Sequence, residues 1–305
     1  MEERTDRSQK DRVQAGCWLL STIYLSSDQQ RRYRMLWEKR TMKVGLGQFA
    51  VSREWQENAT LCLDLMQRAA ESDADLLVLP EAVLARDNSD PDFVIQAAQP
   101  LDGPFLSQLL AASQHNALTT IMSVHVPSVQ QKVLNVLVAI RSGKIIAAYE
   151  KLHLYDAFAM QESQRVNPGH AVPPLIEVAG MKVGLMTCYD VRFPELARRL
   201  ALDGADVLVL PAAWVRGPLK EMHWALLTRA RALENTCYMV AVGECGPRNI
   251  GNSLVVDPLG VVVANAAEAP ALLFAEIDPE RVAYARRVLP VLENRRFARP
   301  ELNGS

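Results

Sequence analysis

The sequence predicts an α/β fold, a four-layer αββα sandwich made of two pseudo-symmetric halves. Two observations carry that expectation. From Met42 onward short β-rich runs alternate with helical segments, and one strand–helix–strand unit occurs twice in the same order. "MKVGLGQF" (42–49) returns as "MKVGLMTC" (181–188), and "ADLLVLPEAVLAR" (74–86) returns as "ADVLVLPAAWVRG" (205–217). Near-continuous apolar strands suit sheets covered on both faces, which puts the helices outside the two sheets.

Apolar runs rich in β-branched residues place strands at 43–50, 76–80, 119–126, 134–140, 144–151, 182–188, 207–212, 238–244, 253–258, 261–266 and 272–278. Apolar spacing at three and four residues places helices at about 54–72, 104–115, 194–203, 219–235 and 279–288. Pro194 suits a first helical position, where a missing N–H costs nothing. "SGK" (142–144) and "DPLG" (257–260) join strands as hairpin turns do. The glycines of "GLGQFA" (45–50) fall inside the first strand instead of after it, which argues against a nucleotide-binding loop.

The chain has 305 residues, 49% of them hydrophobic, enough for a sizeable core without staples. A formal net charge of -2 offers no basic field for phosphate backbones, so nucleic acid is not an expected partner. No apolar run reaches the length of a membrane span, and no membrane partner is expected. Five cysteines without paired spacing suggest reduced thiols and a cytoplasmic location. Residues 1–41 open with a long mixed-charge stretch, "MEERTDRSQKDR", and the apolar patch that follows has the wrong flanks for a signal peptide. They read as a flexible N-terminal extension, with the domain and its C-terminal tail spanning 42–305.

"GLMTCYDVRFPELAR" (184–198) puts Cys188 at the end of an expected strand. A free cysteine is most often small apolar filling. Sites in α/β sheets, however, form beyond the carboxyl ends of strands. Glu81 follows the Leu-Pro strand end of the other repeat, and Lys151 ends a third strand in "AYEKLHLYD". A thiol, a carboxylate and an amine thus take equivalent topological places. The chemistry suits them: only the thiolate attacks well, so the thiol needs a group to take its proton and a positive charge nearby.

"LPEA", "YEKLHLYD" and "MTCYDVRFPE", with Glu, Lys and Cys in that order, resemble the nitrilase superfamily of carbon–nitrogen hydrolases from Met42 to about residue 280. The resemblance implies the αββα sandwich, with Glu81 as general base, Lys151 stabilising the oxyanion with the backbone N–H of Tyr189, and Cys188 as nucleophile. Attack on a primary amide in a 2-oxo acid would release ammonia and leave a thioester, which a water activated by Glu81 would hydrolyse. Glu162 would position substrate or lysine; an ordinary loop role stays open, and the segment from Lys151 to Glu162 is shorter than in many members. "KLHLYD", "CYDVRFPEL" and "LPAAW" resemble the branch of deaminated glutathione amidases and ω-amidases. That implies a small-molecule amide substrate, namely deaminated glutathione cleaved to 2-oxoglutarate and cysteinylglycine, or a smaller amide or N-carbamoyl acid. A non-catalytic binding protein of the same fold is the other alternative.

A pocket for a carboxylate needs cations or backbone donors. Tyr189, Arg192, Phe193 and Trp214 are the substrate-binding candidates, with Arg216, Lys220 and Arg248 as further cations and His223 at the mouth. Each cation could equally be a surface charge, and Asp190, Arg192 and Glu195 could pair around the helix start. His153 could approach Cys188 as in a cysteine–histidine protease, although no papain-like sequence surrounds the cysteine. The histidines lack metal-ligand spacing, and the chemistry calls for no cofactor and no metal. The resemblance implies a homodimer or larger homo-oligomer, and the extended "PVLENRRFARPELNGS" (290–305) could cross a subunit boundary.

Overall fold

Side-chain alternation along β1 (Met42–Gln48) sets the layering. Met42, Val44 and Leu46 enter one fully buried cluster, while Gly45 and Gly47 meet Leu77 and Leu79 of the opposite cluster. A Cβ on Gly47 would come 2.6 Å from Leu79 Cδ2, so the glycines of "GLGQFA" serve packing. The computed structural model describes residues 41–303 apart from Asn88; the expected extension lies outside the described residues except for Thr41.

The first sheet takes the order β13-β1-β2-β3-β4-β5, from β2 (Leu76–Val78), β3 (Thr119–Pro127), β4 (Val133–Arg141), β5 (Lys144–Glu150) and β13 (Ala271–Ile277). β6 (Val166–Asn167) continues beside β4 where β5 stops. The second sheet runs β7-β8-β9-β10-β11-β12, from β7 (Ile176–Val178), β8 (Met181–Leu185), β9 (Val207–Ala212), β10 (Tyr238–Gly243), β11 (Leu254–Val256) and β12 (Val262–Asn265). Each sheet has three parallel strands, β1-β2-β3 and β8-β9-β10, flanked by antiparallel neighbours. The duplicated sequence unit therefore occupies matching positions in the two sheets.

The inner faces meet in one core that joins Val44, Leu76 and Leu137 to Val183, Val209 and Val240. Outside the first sheet lie α1 (Trp55–Glu71) and α3 (Pro104–Ala112), which bury Leu65, Met66, Leu106 and Leu109 against Leu77, Met122 and Val138. Against the second sheet pack α4 (Pro194–Leu202) and α5 (Lys220–Asn235), through Leu196, Leu200, Trp224 and Ala232. A fully buried leucine in such a layer contributes roughly 1.5–3 kcal/mol. α6 (Pro279–Val288) completes the expected helices, and Pro194 holds the first turn of α4.

Some expectations needed correction. Two short helices, α2 (Phe93–Ala97) and α7 (Val291–Asn294), bury no side chain and so left no apolar stripe to read. β6 and β7 are two and three residues long beside a proline-rich stretch, below what alternation can reveal. β2, β5 and β8 end earlier than expected, at Val78, Glu150 and Leu185. Glu81, Lys151 and Cys188 consequently lie on the loops just past the strand ends. "SGK" turns as expected, with Ser142 (φ 50°) and Gly143 (φ 76°) both left-handed. The tail folds back on its own chain: Arg199 Nη1 donates to the Pro300 carbonyl at 3.0 Å, and Arg299 pairs with Asp203.

Candidate active site

One residue past β5, the backbone of Lys151 is fixed from both sides. Its N–H donates to the Asn135 carbonyl at 2.9 Å, and its carbonyl accepts from Gly169 N–H at 2.9 Å. A Cβ on Gly169 would stand 2.2 Å from the Glu150 carbonyl oxygen, so this crossing admits only glycine. Lys151 Nζ is buried and lies 2.9 Å from Glu81 Oε1, 2.8 Å from Glu162 Oε2 and 3.1 Å from Glu162 Oε1.

Each carboxylate is held by further donors. Glu81 Oε1 accepts from Asn135 Nδ2 at 2.9 Å, and Oε2 accepts from the Ala213 N–H at 2.8 Å. Glu162 Oε2 accepts from the Tyr155 N–H at 2.6 Å. After Glu81 the chain turns left-handed at Ala82 (φ 55°), whose N–H donates to Ser123 Oγ at 2.8 Å.

Cys188 opens a short 3₁₀ turn, Cys188–Arg192, at φ 43°. A left-handed non-glycine residue costs on the order of 1–3 kcal/mol and persists only where its surroundings hold it. Asp190, fully buried, does the holding. It accepts from the Thr187 N–H and the Tyr149 hydroxyl, each at 2.8 Å, and from the His153 N–H at 3.3 Å. His153 Nδ1 lies 2.7 Å from the same carboxylate, and its ring stacks on Phe193 with centroids 3.8 Å apart. His153 is thus engaged by Asp190 and Phe193 and builds the turn, which replaces the protease-like expectation. Asp190 likewise turns inward instead of pairing with Arg192 at the helix start.

The buried Cys188 thiol lies within the electrostatic reach of both the Glu81 carboxylate and the Lys151 ammonium. Burial and the adjacent Glu81 charge push the thiol well above its ordinary value, and Lys151 opposes them without prevailing. At rest the sulfur therefore carries its proton, although Lys151 taken alone favours the thiolate. Burial works against the Glu81 charge, but Lys151, the Cys188 thiol and Arg86 hold the carboxyl down at about 2. Burial also disfavours the Lys151 ammonium, yet Glu162 and Glu81 keep its pKa well above the usual lysine value. A protonated nucleophile, a charged acceptor and a fixed cation stand together. That set can attack a carbonyl carbon with the proton leaving as the bond forms.

The mouth is aromatic and cationic. Tyr189 meets Tyr155 edge to face at 5.0 Å and Phe193 at 5.2 Å. Buried Trp214 donates its indole N–H to the Lys220 carbonyl at 3.0 Å and packs on Trp224. The Arg192 guanidinium lies 4.8 Å from the Trp214 ring and 3.5 Å from His223 Nδ1. Lys220 Nζ bonds the Tyr155 hydroxyl and lies 4.0 Å from the Phe158 ring. Arg216 turns elsewhere, to Glu268 at 3.1 Å, and so does not join the mouth as expected; its backbone N–H donates to the Arg248 carbonyl at 2.8 Å. Among the described residues no cluster of His, Cys, Asp and Glu could hold a metal ion.

Two contributors escaped sequence reasoning. Asn135 binds both Glu81 and Lys151, and a lone amide inside the apolar run "LNVLVAI" was its signal. Tyr155, which bridges Glu162 and Lys220, had none beyond its nearness to Lys151.

The family described as carbon-nitrogen hydrolase matches residues 43–287. The deaminated glutathione amidase of Escherichia coli O157:H7 is 60% identical over 261 residues, 86% of this chain and 100% of that protein. The Rattus norvegicus deaminated glutathione amidase is 38% identical, covering 82% of this chain and 80% of its own. The crystal structure of Saccharomyces cerevisiae Nit3, a member of branch 10 of the nitrilase superfamily, superposes with a TM-score of 0.74 at 28% identity over 85% of this chain and 97% of that one. This chain belongs to the carbon-nitrogen hydrolase family, within the nitrilase superfamily.

Proposed function

We propose that this enzyme hydrolyses deaminated glutathione to 2-oxoglutarate and cysteinylglycine through a thioester on Cys188. The observation that carries the reading is the buried Glu81–Lys151 pair, 2.9 Å apart, with both charges acting on the buried Cys188 thiol, together with the 60% identity to a deaminated glutathione amidase.

Cys188 Sγ attacks the amide carbonyl carbon while its proton passes to Glu81. The oxyanion is met by the Lys151 ammonium and the Tyr189 N–H. Glu81 returns the proton to the nitrogen, the C–N bond breaks, and the amine departs. The scissile amide of deaminated glutathione is secondary, so the leaving group is cysteinylglycine; ammonia, expected for a primary amide, would come only from smaller substrates. Water then gives a proton to Glu81 and its oxygen attacks the thioester. The C–S bond breaks, 2-oxoglutarate leaves, and the thiol recovers its proton. Glu162 acts through Lys151 as a positioning residue. Arg192 takes a substrate carboxylate, and Phe193 and Trp214 support the wall.

The wider setting follows the same reading: a cytoplasmic metabolite-repair enzyme that clears an altered form of glutathione. No helix among the described residues is long and apolar enough to cross a membrane. Met222, Leu226 and Leu233 are exposed along α5, an apolar stripe that a second copy would cover in a homodimer or larger assembly. Sedimentation should then give a mass of at least two chains.

Incubation of the purified chain with deaminated glutathione, following 2-oxoglutarate, tests the activity. Turnover lost in Cys188→Ala is expected. Faster hydrolysis of 2-oxoglutaramate or an N-carbamoyl acid would instead favour the smaller-acid alternative.

A further inference from the structure

We propose that Lys220, paired with Arg192, selects the 2-oxo form of the substrate and rejects the intact 2-amino form, glutathione itself. This rests on the amidase reading above and names the group that would make it selective.

The two cations share one aromatic enclosure. Lys220 Nζ lies 4.0 Å from the Phe158 ring and 5.7 Å from Trp214, while the Arg192 guanidinium lies 5.7 Å and 4.8 Å from the same two rings. Ring faces hold cations, but they do not neutralise charge. Among the described residues neither cation has a carboxylate partner. Arg192 Nε is buried with no hydrogen-bond acceptor. Glu81 and Glu162, the acids of the site, are already committed to Lys151. Glu221, beside Lys220 in the chain, turns toward Arg216.

Burial and the nearby Arg192 already disfavour the Lys220 ammonium. A 2-oxo acid brings what this enclosure lacks: a carboxylate charge and a carbonyl oxygen, both acceptors for N–H donors. The 2-amino acid replaces that carbonyl with a third cation, which finds no acid to pair with. Discrimination thus comes from an unfavourable encounter as much as from a favourable one. Tyr155 ties this enclosure to the chemistry, since its hydroxyl bonds Lys220 and its N–H bonds Glu162.

The test compares kcat/KM for deaminated glutathione and glutathione in the wild type, Lys220→Met and Lys220→Arg. The wild type should prefer the 2-oxo form by about a hundredfold or more. Lys220→Met should shrink that preference roughly tenfold, with a higher KM for the 2-oxo substrate, and Lys220→Arg should retain it. A preference unchanged in Lys220→Met overturns the selectivity role alone. A wild type that cleaves neither compound overturns the amidase reading and this inference with it. Should Lys220→Met fail to fold, the wild type with 2-oxo, 2-hydroxy and 2-amino substrates decides: rates falling in that order support the inference, and equal rates overturn it.

Discussion

Lys151 Nζ lies 2.9 Å from Glu81 Oε1, although 70 residues separate the two along the chain. The same ammonium lies 2.8 Å from Glu162 Oε2, so negative, positive and negative charges alternate in a buried site. Lys151→Met would leave two carboxylates facing each other without their counter-charge. Loss of one member of a buried ionic set costs roughly 3–5 kcal/mol. Urea denaturation should show a loss of that order, and kcat should fall about 1,000-fold.

Glu81→Gln should separate thiol reactivity from catalysis. Burial and the Glu81 charge raise the Cys188 pKa, and Lys151 lowers it. Removing only the carboxylate charge therefore brings the thiol pKa down and increases the thiolate fraction. Iodoacetamide should label Cys188 faster in the variant than in the wild type at the same pH, while amidase turnover falls by about 1,000-fold. Peptide mapping checks the first and a product assay the second.

The pH profile follows from the same charges. The Glu81 carboxyl drops from 4.5 to about 2 on folding, so its contribution to stability is present above 4.5 and disappears as the pH falls through about 2. The Cys188 thiol moves the other way; its contribution is present below its ordinary value of 9.0 and is lost only as the pH rises through the higher folded value. Between about pH 5 and 9 the profile of kcat/KM should therefore show no limb from either group. A fall in rate centred near pH 4.5 would contradict the assignment of Glu81 as proton acceptor.

Asp190→Asn should weaken both the turn and its chemistry. The carboxylate accepts from Thr187, Tyr149 and His153 while fully buried, and an amide brings an N–H where acceptors are needed. The loss of buried acceptors should cost about 2–3 kcal/mol, read from the denaturation midpoint. Released from its hold, Cys188 (φ 43°) should relax, and kcat should drop more than KM rises.

Much of this was legible in the sequence because the chain says it twice. The paired "MKVGL" and "LVLP" segments revealed matching β-α-β units, which aimed Glu81 and Cys188 at one end of the sandwich, where the strand before Lys151 also ends. What escaped was set by three-dimensional context. The left-handed turn at Cys188 replaces an expected strand residue, and neither it nor the one at Ala82 was foreseen, since backbone held by Asp190 and Ser123 carries no local signature. The resting protonation of the thiol likewise emerged only from burial and the nearness of Glu81. Among four candidate cations, Arg216 was removed by Glu268, a partner 52 residues away that spacing could not supply.

Intact-mass analysis during turnover tests the covalent account most directly. Rapidly quenched wild-type enzyme given deaminated glutathione should carry a 2-oxoglutaryl group, and peptide mapping should place it on Cys188. Turnover by Cys188→Ala at the wild-type rate, or an acyl group on another side chain, would contradict the account.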